Sequence, residues 1–238
     1  MKKKELMSLK QHEMKSEIHG FLSYPKSNNL GDYIQSIAAK ELINSNAVSL
    51  NREKLNHYRG PFLKLLMNGW FMENSKNWPP SDKIKPLMIS FHINPIAMKN
   101  MLSPKGISYF KKHEPIGCRD LFTQKILSQN GINTYFSGCL TLTLKSKGNK
   151  KKREGILVLG AIDRMKPKLK SKNFLIDIFK LPIKFLRYKK ARKRLNDFIK
   201  NQKNQKDQKV IFKSQEIKSN AYSEKKKFLL AQEQLDLI

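Results

Sequence analysis

Residues 115–144 read PIGCRDLFTQKILSQNGINTYFSGCLTLTL, and this stretch decides the fold of the chain. Its first four residues form a short apolar run, which predicts a strand. Apolar residues at helical spacing follow until Gly131, a residue type that readily takes the left-handed conformation that ends a helix. Residues 134–144 are rich in β-branched and aromatic side chains and predict a second strand. The stretch therefore predicts a β-α-β unit, whose two strands must be parallel.

Two polar residues stand where the first of these strands meets the helix. Asp120 is a good N-cap, because its carboxylate can accept from the unpaired amides of the first helical turn. Arg119 precedes it, and in open parallel sheets ligands bind outside the carboxyl ends of the strands. Arg119 is therefore a candidate binding residue, although a surface ion pair is an equally good interpretation of its position.

A similar pattern stands near the start of the chain. Residues 18–24 predict a strand, residues 28–31 a turn, and apolar periodicity predicts a helix from Asp32 to about residue 44. Gly31 lets the backbone approach a ligand closely, and the amides at the helix start favour an anion. The alternative is a helix capped by Asp32 with nothing bound, which the residues alone favour.

Between these units the sequence predicts strands at 47–50, 61–70 and 87–93 and a short helix at 103–112. Residues 75–86 contain three prolines and predict an irregular loop.

Three titratable residues near these elements need an interpretation. His92 stands at the end of a predicted strand, where it can orient a ligand hydroxyl or move a proton. A lone histidine at a strand end is more often simply hydrogen-bonded in place. His113 and Glu114 are predicted to be surface residues.

The two cysteines, Cys118 and Cys139, have neither metal-ligand spacing nor the number that a disulfide framework needs. Both fall in predicted buried strands, where cysteine behaves as a small hydrophobe. We expect no metal site, and a reducing cytosol is the natural compartment. The basic start has no apolar signal-peptide core, and no window has the eighteen consecutive apolar residues of a membrane span. We therefore expect a cytoplasmic protein, with peripheral attachment to the inner face of the membrane left open.

Charge is distributed unevenly along the chain. The formal net charge is +29, and residues 145–213 alone hold 24 basic and 5 acidic side chains. Such an excess indicates anionic partners and says little about the fold. The shift in composition predicts a flexible N-terminus at 1–16, a first domain at 17–147, a basic linker at 148–154 and a very basic second domain at 155–238.

The second part of the chain predicts strands at 156–161 and 210–212, a long basic helical region at 173–200 interrupted near Pro182, and a helix from Ser223. The apolar residues expected to share one face of the long region include Phe174, Ile178, Phe185, Leu186, Leu195 and Ile199. Those of the last helix are Phe228, Ala231, Leu235 and Ile238. Because this part holds only two strands and stops within that stripe, we expect the second domain to be incomplete.

The basic run FLRYKKARKRL at 185–195 is suited to binding phosphates. No helix-turn-helix, zinc-finger or RNP signature accompanies it. We therefore favour a solvated face or loose attraction to an anionic membrane, and we expect nucleic acid not to be the partner.

The motifs GCRDLFT and YFSGCLTLTL, together with NLGDYIQSIA at residues 29–38, resemble the polysaccharide pyruvyl transferase family. The likeness covers about residues 21–144. It implies an α/β fold with a Rossmann-like parallel sheet in the first domain and an incomplete second Rossmann-like domain, in a two-domain arrangement like that of glycosyltransferase-B enzymes. An Arg-x-His turn that members of the family carry further on has no counterpart here, and Cys139 stands where a more polar residue is expected.

The resemblance also implies a reaction. Phosphoenolpyruvate would be the donor substrate, with no other cofactor, and a sugar of a cell-surface polysaccharide or its lipid-linked precursor would be the acceptor. Arg119 would bind the donor with Asn29 and Gly31, His92 would be catalytic, and Asp32 and Asp120 would orient their neighbours. Without the Arg-x-His turn we expect weak activity or none.

Two other functions stay open from the sequence. A glycosyltransferase with two facing α/β domains would share the fold and use a nucleotide sugar. A non-catalytic basic protein would bind nucleic acid or an anionic membrane, with a strong dependence on salt.

Overall fold

The computed structural model describes residues 17–43, 46–145, 155–167, 174–202, 209–217 and 222–237. Its strands are β1 (Ile18–Ser23), β2 (Val48–Asn51), β3 (Leu63–Phe71), β4 (Ile84–Ile93), β5 (Ile116–Cys118), β6 (Thr134–Phe136), β7 (Ile156–Leu159) and β8 (Val210–Lys213). Its α-helices are α1 (Leu30–Glu41), α2 (Met98–Met101), α3 (Pro104–Lys112), α4 (Leu121–Gln129), α5 (Phe174–Gln202) and α6 (Glu224–Leu235).

Six strands form one parallel sheet in the order β2-β1-β3-β4-β5-β6. β1 lies between β2 and β3, so the chain changes direction across the sheet at this strand. α-Helices join β1 to β2, β4 to β5 and β5 to β6, whereas 3-10 turns and loops join β2 to β3 and β3 to β4. The α/β class predicted from the sequence is confirmed, and the unit β5-α4-β6 has the predicted parallel pairing.

Apolar side chains cover both faces of the sheet, as is usual for parallel strands. The larger core cluster joins Leu65 and Phe91 of the sheet to Phe110 of α3. Because successive side chains of a strand point to opposite faces, Phe21 lies on the other side, where it packs with Ala38 of α1.

The predicted loop at 75–86 is wrong at both ends. Ser75–Asn77 forms a 3-10 turn, and β4 begins at Ile84, two residues before Pro86. Pro86 pairs with Leu65 of β3, while the β4–β5 pairing is limited to the far end of β4 at Phe91. Proline is therefore tolerated, because its missing N–H faces an unpaired edge of the strand.

The predicted strand at 134–144 is also too long. β6 ends at Phe136, Gly138 takes a φ of +69°, and a 3-10 turn follows at Leu140–Thr143. A glycine in the left-handed region turns the chain out of the strand, so high β-propensity on both sides of it does not extend the sheet. Gly131, with a φ of +71°, follows α4 as predicted.

β7 and β8 form a separate parallel pair, and α5 runs between them as one helix of 29 residues with Pro182 inside it. The predicted interruption near Pro182 is therefore wrong. An interior proline costs about 3 kcal/mol, through a lost backbone hydrogen bond and the clash of its ring, and this cost does not break a helix of this length.

The face predicted for α5 is partly wrong. Leu195 and Ile199 are shielded from solvent, but Ile178, Phe185 and Leu186 are exposed. The side chain of Phe174 lies outside the described residues. Apolar residues occur on more than one side of this helix, so their number alone does not show which side faces the protein.

The final helix, α6, packs against α1. Ala231 is fully buried, and the ring of Phe228 contacts Tyr33 edge-on with 5.2 Å between ring centroids. Ile238 of the predicted stripe, the segment 1–16 and the proposed linker at 148–154 lie outside the described residues, so the division into two domains stays a prediction.

Candidate active site

The carboxyl ends of the strands meet at one edge of the sheet, where open parallel sheets bind ligands. His92 lies near the end of β4, Arg119 directly follows β5, and the turn that contains Asn29 follows β1. β3 alone separates β1 from β4. Since adjacent strands lie about 4.8 Å apart, β1 and β4 are about 10 Å apart, and the turn and His92 lie at the carboxyl ends of these two strands.

His92 and Asp120 form a hydrogen-bonded pair, with Nδ1 of His92 2.5 Å from Oδ2 of Asp120. Asp120 is also the predicted N-cap of α4, and its Oδ1 accepts from the amide of Thr123 at 2.9 Å. The hydroxyl of Thr123 donates to Oδ2 of Asp120 at 3.2 Å and accepts from the amide of Ile93 at 3.2 Å. The cap of one helix thereby orients the histidine of the neighbouring strand.

The protonation states of this pair follow from its surroundings. Burial lowers the pKa of His92, the hydrogen bond to Asp120 raises it in part, and the charge of Arg119 lowers it again. Burial raises the pKa of Asp120, but the hydrogen bonds from Thr123 and His92 outweigh it and leave the pKa below its ordinary value. An ionised Asp120 holds the proton of neutral His92 on Nδ1, so Nε2 is the acceptor. The pair is suited to take up a proton at Nε2 near neutral pH.

Arg119 lies half-buried beside this pair. Its backbone amide donates to the carbonyl of Phe91 at 2.9 Å, which fixes it at the strand end. Within the part of the chain that the structure describes, its guanidinium makes no hydrogen bond or ion pair. Its charge lowers the pKa of His92 and of Cys139 and opposes the effect of burial on Asp32. Arg119 is therefore a cation that is unpaired within the described residues and close enough to His92, Cys139 and Asp32 to influence their charges.

The turn after β1 differs in detail from the prediction. Asn29, and not Asp32, is the N-cap of α1, because its Oδ1 accepts from the amide of Gly31 at 3.0 Å. The helix begins at Leu30, so Gly31 lies in its first turn. A Cβ added at Gly31 would stand 3.2 Å from Oδ1 of Asn29, which is tighter than usual. Asparagine supplies the same cap as aspartate, and its position one residue before the helix decides between them.

Asp32 instead orders the turn from within the helix. Its Oδ2 accepts from the hydroxyl of Ser27 at 2.5 Å, and the same hydroxyl oxygen accepts from the amide of Asn29 at 3.1 Å. Burial raises the pKa of Asp32, while the hydrogen bond from Ser27 and the charges of Arg52 and Arg119 lower it. Asp32 therefore acts on neighbouring residues of the turn.

A buried arginine, Arg52, packs next to this edge of the sheet. Arg52 follows β2 and is 2% exposed, with its guanidinium over the rings of Tyr24 and Trp70. Its Nη1 donates to the carbonyl of Trp70 at 2.8 Å, and its Nε donates to Oε1 of Glu53 at 2.5 Å. Because all these contacts are internal, Arg52 is a structural element of the site.

Residues far along the chain hold the same turn in place. The amide of Leu30 donates to the carbonyl of Gln215 at 2.8 Å, and the amide of Ile217 donates to the carbonyl of Asn28 at 2.6 Å. Lys227 of α6 is 2% exposed, and its Nζ donates to the carbonyls of Pro25 and Ser27 at 2.9 and 3.0 Å. No local sequence signal identified these contacts, because they join segments about 200 residues apart.

Cys139 corrects the prediction that both cysteines are buried strand residues. Cys118 is fully buried in β5, and burial raises the pKa of its thiol to about 12. Cys139 is half-buried in the loop after β6, where Nε2 of Gln35 lies 2.9 Å and Oγ1 of Thr141 lies 3.1 Å from its sulfur. Burial raises its pKa, but these hydrogen bonds and the charge of Arg119 leave it below the ordinary value. Cys139 is therefore a polar group of the site edge.

The structure brings His92, Asp120, Arg119 and Cys139 to one part of the edge and places Asn29, Gly31 and Asp32 in the turn beside it. Among the described residues, no hydrogen bond joins the two groups. His113 is half-buried and Glu114 is exposed, away from both. The roles predicted for the site residues stay predictions.

A cavity of about 730 Å³ lies elsewhere, between α1, α6 and the β1–β2 edge, and its lining includes Phe21, Ile37 and Phe228. The cavity is also lined by Lys40, Glu41, Glu224 and Lys225. We place the site at the strand ends and not in this cavity, because neither Arg119 nor the His92–Asp120 pair lines it. Within the described ranges, no three His, Cys, Asp or Glu side chains are grouped so as to hold a metal ion.

Comparison with known proteins identifies a family for the chain. The family model for polysaccharide pyruvyl transferase matches residues 29–238 of the chain. No curated protein and no solved structure shows significant similarity. The matched region begins at the capping asparagine of α1 and includes Arg119, His92 and α6.

Proposed function

Since the chain belongs to the polysaccharide pyruvyl transferase family, we propose that it transfers the pyruvyl group of phosphoenolpyruvate to a sugar of a cell-surface polysaccharide or its lipid-linked precursor. One observation carries the proposal. The half-buried Arg119, without a partner among the described residues, lies beside a histidine that Asp120 orients. An anion-binding group and a proton-accepting group thus stand at the same edge of the sheet.

The donor carries a carboxylate and a phosphate, and both suit a guanidinium. Arginine presents paired N–H groups that match the oxygens of either anion, and a half-buried arginine is less screened by water than an exposed one. The start of α1 lies at the same edge, where helix amides favour anions. The amides of Leu30, Gly31 and Asp32 already donate to Gln215 and Asn29, so the start of α1 would contribute the positive end of its dipole beside Arg119 and not a free N–H group.

The reaction joins two sugar hydroxyl oxygens to the central carbon of the donor and breaks its bond to the phosphate oxygen. One hydroxyl proton ends on the methylene carbon, which becomes a methyl group, and the other leaves with phosphate. In this proposal His92 accepts a hydroxyl proton at Nε2, since Nδ1 is occupied by the hydrogen bond to Asp120. The lowered pKa of His92 keeps the ring neutral and ready to act as a base at pH 7.

Donor binding by the full chain tests the proposal. Phosphoenolpyruvate should raise the unfolding temperature, and Arg119→Ala should weaken its binding about ten- to hundredfold, as expected for the loss of a charge-assisted contact of about 1.5–3 kcal/mol. Arg59→Ala is the control, since Arg59 is exposed and its hydrogen bonds with described residues go to the nearby carbonyls of Asn56 and Tyr58.

Two results would contradict the proposal. Stabilisation by a nucleotide sugar but not by phosphoenolpyruvate would indicate a glycosyltransferase. Salt-sensitive binding to nucleic acid or lipid that survives Arg119→Ala, with no binding of phosphoenolpyruvate, would indicate a non-catalytic basic protein.

A further inference from the structure

Helix α5 has two different faces. Asp177 and Ile199 are buried, and the half-buried residues between them, among them Leu181 and Leu195, follow the same helical stripe. Asp177 forms an ion pair with Lys184 on this side. This face is directed toward the protein.

The opposite face carries a second apolar stripe in its first half. Ile176, Phe179, Ile183 and Leu186 follow one another at intervals of three or four residues, so they lie on one side of the helix. All are exposed, Phe179 to 83% and Leu186 to 64%. Large apolar side chains that share one helix face and are exposed to water indicate a surface that binds a membrane or another protein.

Basic residues follow directly after this stripe. Arg187, Lys189, Lys190, Arg192, Lys193 and Arg194 are all exposed. No acidic residue interrupts residues 187–196. The exposed side of α5 is therefore apolar along its first half and strongly cationic along its second.

We propose that α5 lies flat on an anionic lipid bilayer, with Ile176, Phe179, Ile183 and Leu186 at the boundary between headgroups and acyl chains and the basic residues on the lipid phosphates. A helix that combines a narrow apolar stripe with many Lys and Arg residues has the composition of an interfacial helix. Each basic residue near an anionic surface adds about 1 kcal/mol of attraction.

The apolar stripe decides between membrane and nucleic acid. Nucleic acid satisfies the basic residues but leaves four exposed aliphatic and aromatic side chains in water. A bilayer surface can bury the apolar side chains of the first half of the helix and bind the basic side chains of the second half through its phosphates. Within the described ranges, no helix is long and apolar enough to cross a membrane. The proposal does not depend on the donor or the acceptor of the reaction.

Vesicle co-sedimentation with the full chain tests the proposal. We expect binding to vesicles of 70% phosphatidylcholine and 30% phosphatidylglycerol but not to pure phosphatidylcholine. The double variant Phe179→Ser with Leu186→Ser should bind at least about tenfold more weakly, since each side chain loses apolar burial. The control is Phe62→Ser with Ile96→Ser, which replaces two residues that are 72% and 86% exposed outside α5.

A second measurement reports the depth of the stripe. Tryptophan at position 179 (Phe179→Trp) should shift its emission to the blue on anionic vesicles, and tryptophan at position 96 (Ile96→Trp) should not. Unchanged binding by the double serine variant would reduce the interaction to charge alone and overturn the proposal. So would binding to DNA but not to vesicles, or a dimer of the free protein that the serine variant dissociates.

Discussion

Replacing Lys227 with methionine should destabilise the protein, because this buried lysine holds the turn after β1. Its Nζ donates to the carbonyls of Pro25 and Ser27 at 2.9 and 3.0 Å. Methionine keeps the apolar stem and removes both bonds. Hydrogen bonds from charged donors contribute about 1.5–3 kcal/mol each, and the loss of the buried charge offsets part of this, so we expect a net cost of about 3 kcal/mol.

The assay is thermal unfolding followed by circular dichroism. For a chain of this size, about 3 kcal/mol corresponds to a decrease in Tm of about 6–12 °C. Lys226→Met is the matched control, because Lys226 is the exposed neighbour in the same helix and carries the same charge. Hydrogen exchange of the turn should also become faster in Lys227→Met alone. A Tm within 1–2 °C of the control, by the same scaling, would show that the two hydrogen bonds do not hold the turn.

Two further predictions concern protons at the site edge. Asp120→Asn should lower the pKa of His92 further, because the hydrogen bond and charge of Asp120 raise that pKa in the native protein. An NMR titration measures this pKa, with His113 as the unaffected reference. An unchanged or higher pKa of His92 would contradict the pairing. Iodoacetamide should alkylate Cys139 at a pH below the ordinary thiol pKa and leave Cys118 unmodified in the folded protein, as measured by peptide mass mapping; equal modification of both thiols would contradict the burial described here.

Local chemistry predicted much of the fold. The unit β5-α4-β6 could be found from the sequence because Asp120 caps its helix and Gly131 ends it, and both signals act within a few residues. The strand ends that hold His92 and Arg119 followed from the same kind of signal. Errors arose where one residue overrides the propensity of its neighbours, as Gly138 does after β6.

The contacts of the site residues could not be predicted in the same way. His92 meets Asp120 because Phe91 pairs with Cys118 across β4 and β5, and strand register is set by packing and not by either segment alone. The contact of Cys139 with Gln35 joins residues more than a hundred positions apart. The segment around Cys139 alone predicts a buried strand residue, and the contact with Gln35 can be identified only from the folded structure.

The turn after β1 is held in place both by its own residues and by distant segments of the chain. Its own residues cap α1 and hold Asp32, yet its carbonyls are bound by Lys227 and its backbone pairs with residues 215–217. A site that uses both this turn and Arg119 therefore depends on segments that contribute no side chain to the chemistry. Loosening the turn costs binding free energy, because a ligand must then order the turn as well as contact it. For this reason, Lys227→Met should weaken donor binding more than Lys226→Met does, while Arg119 keeps its place at the end of β5.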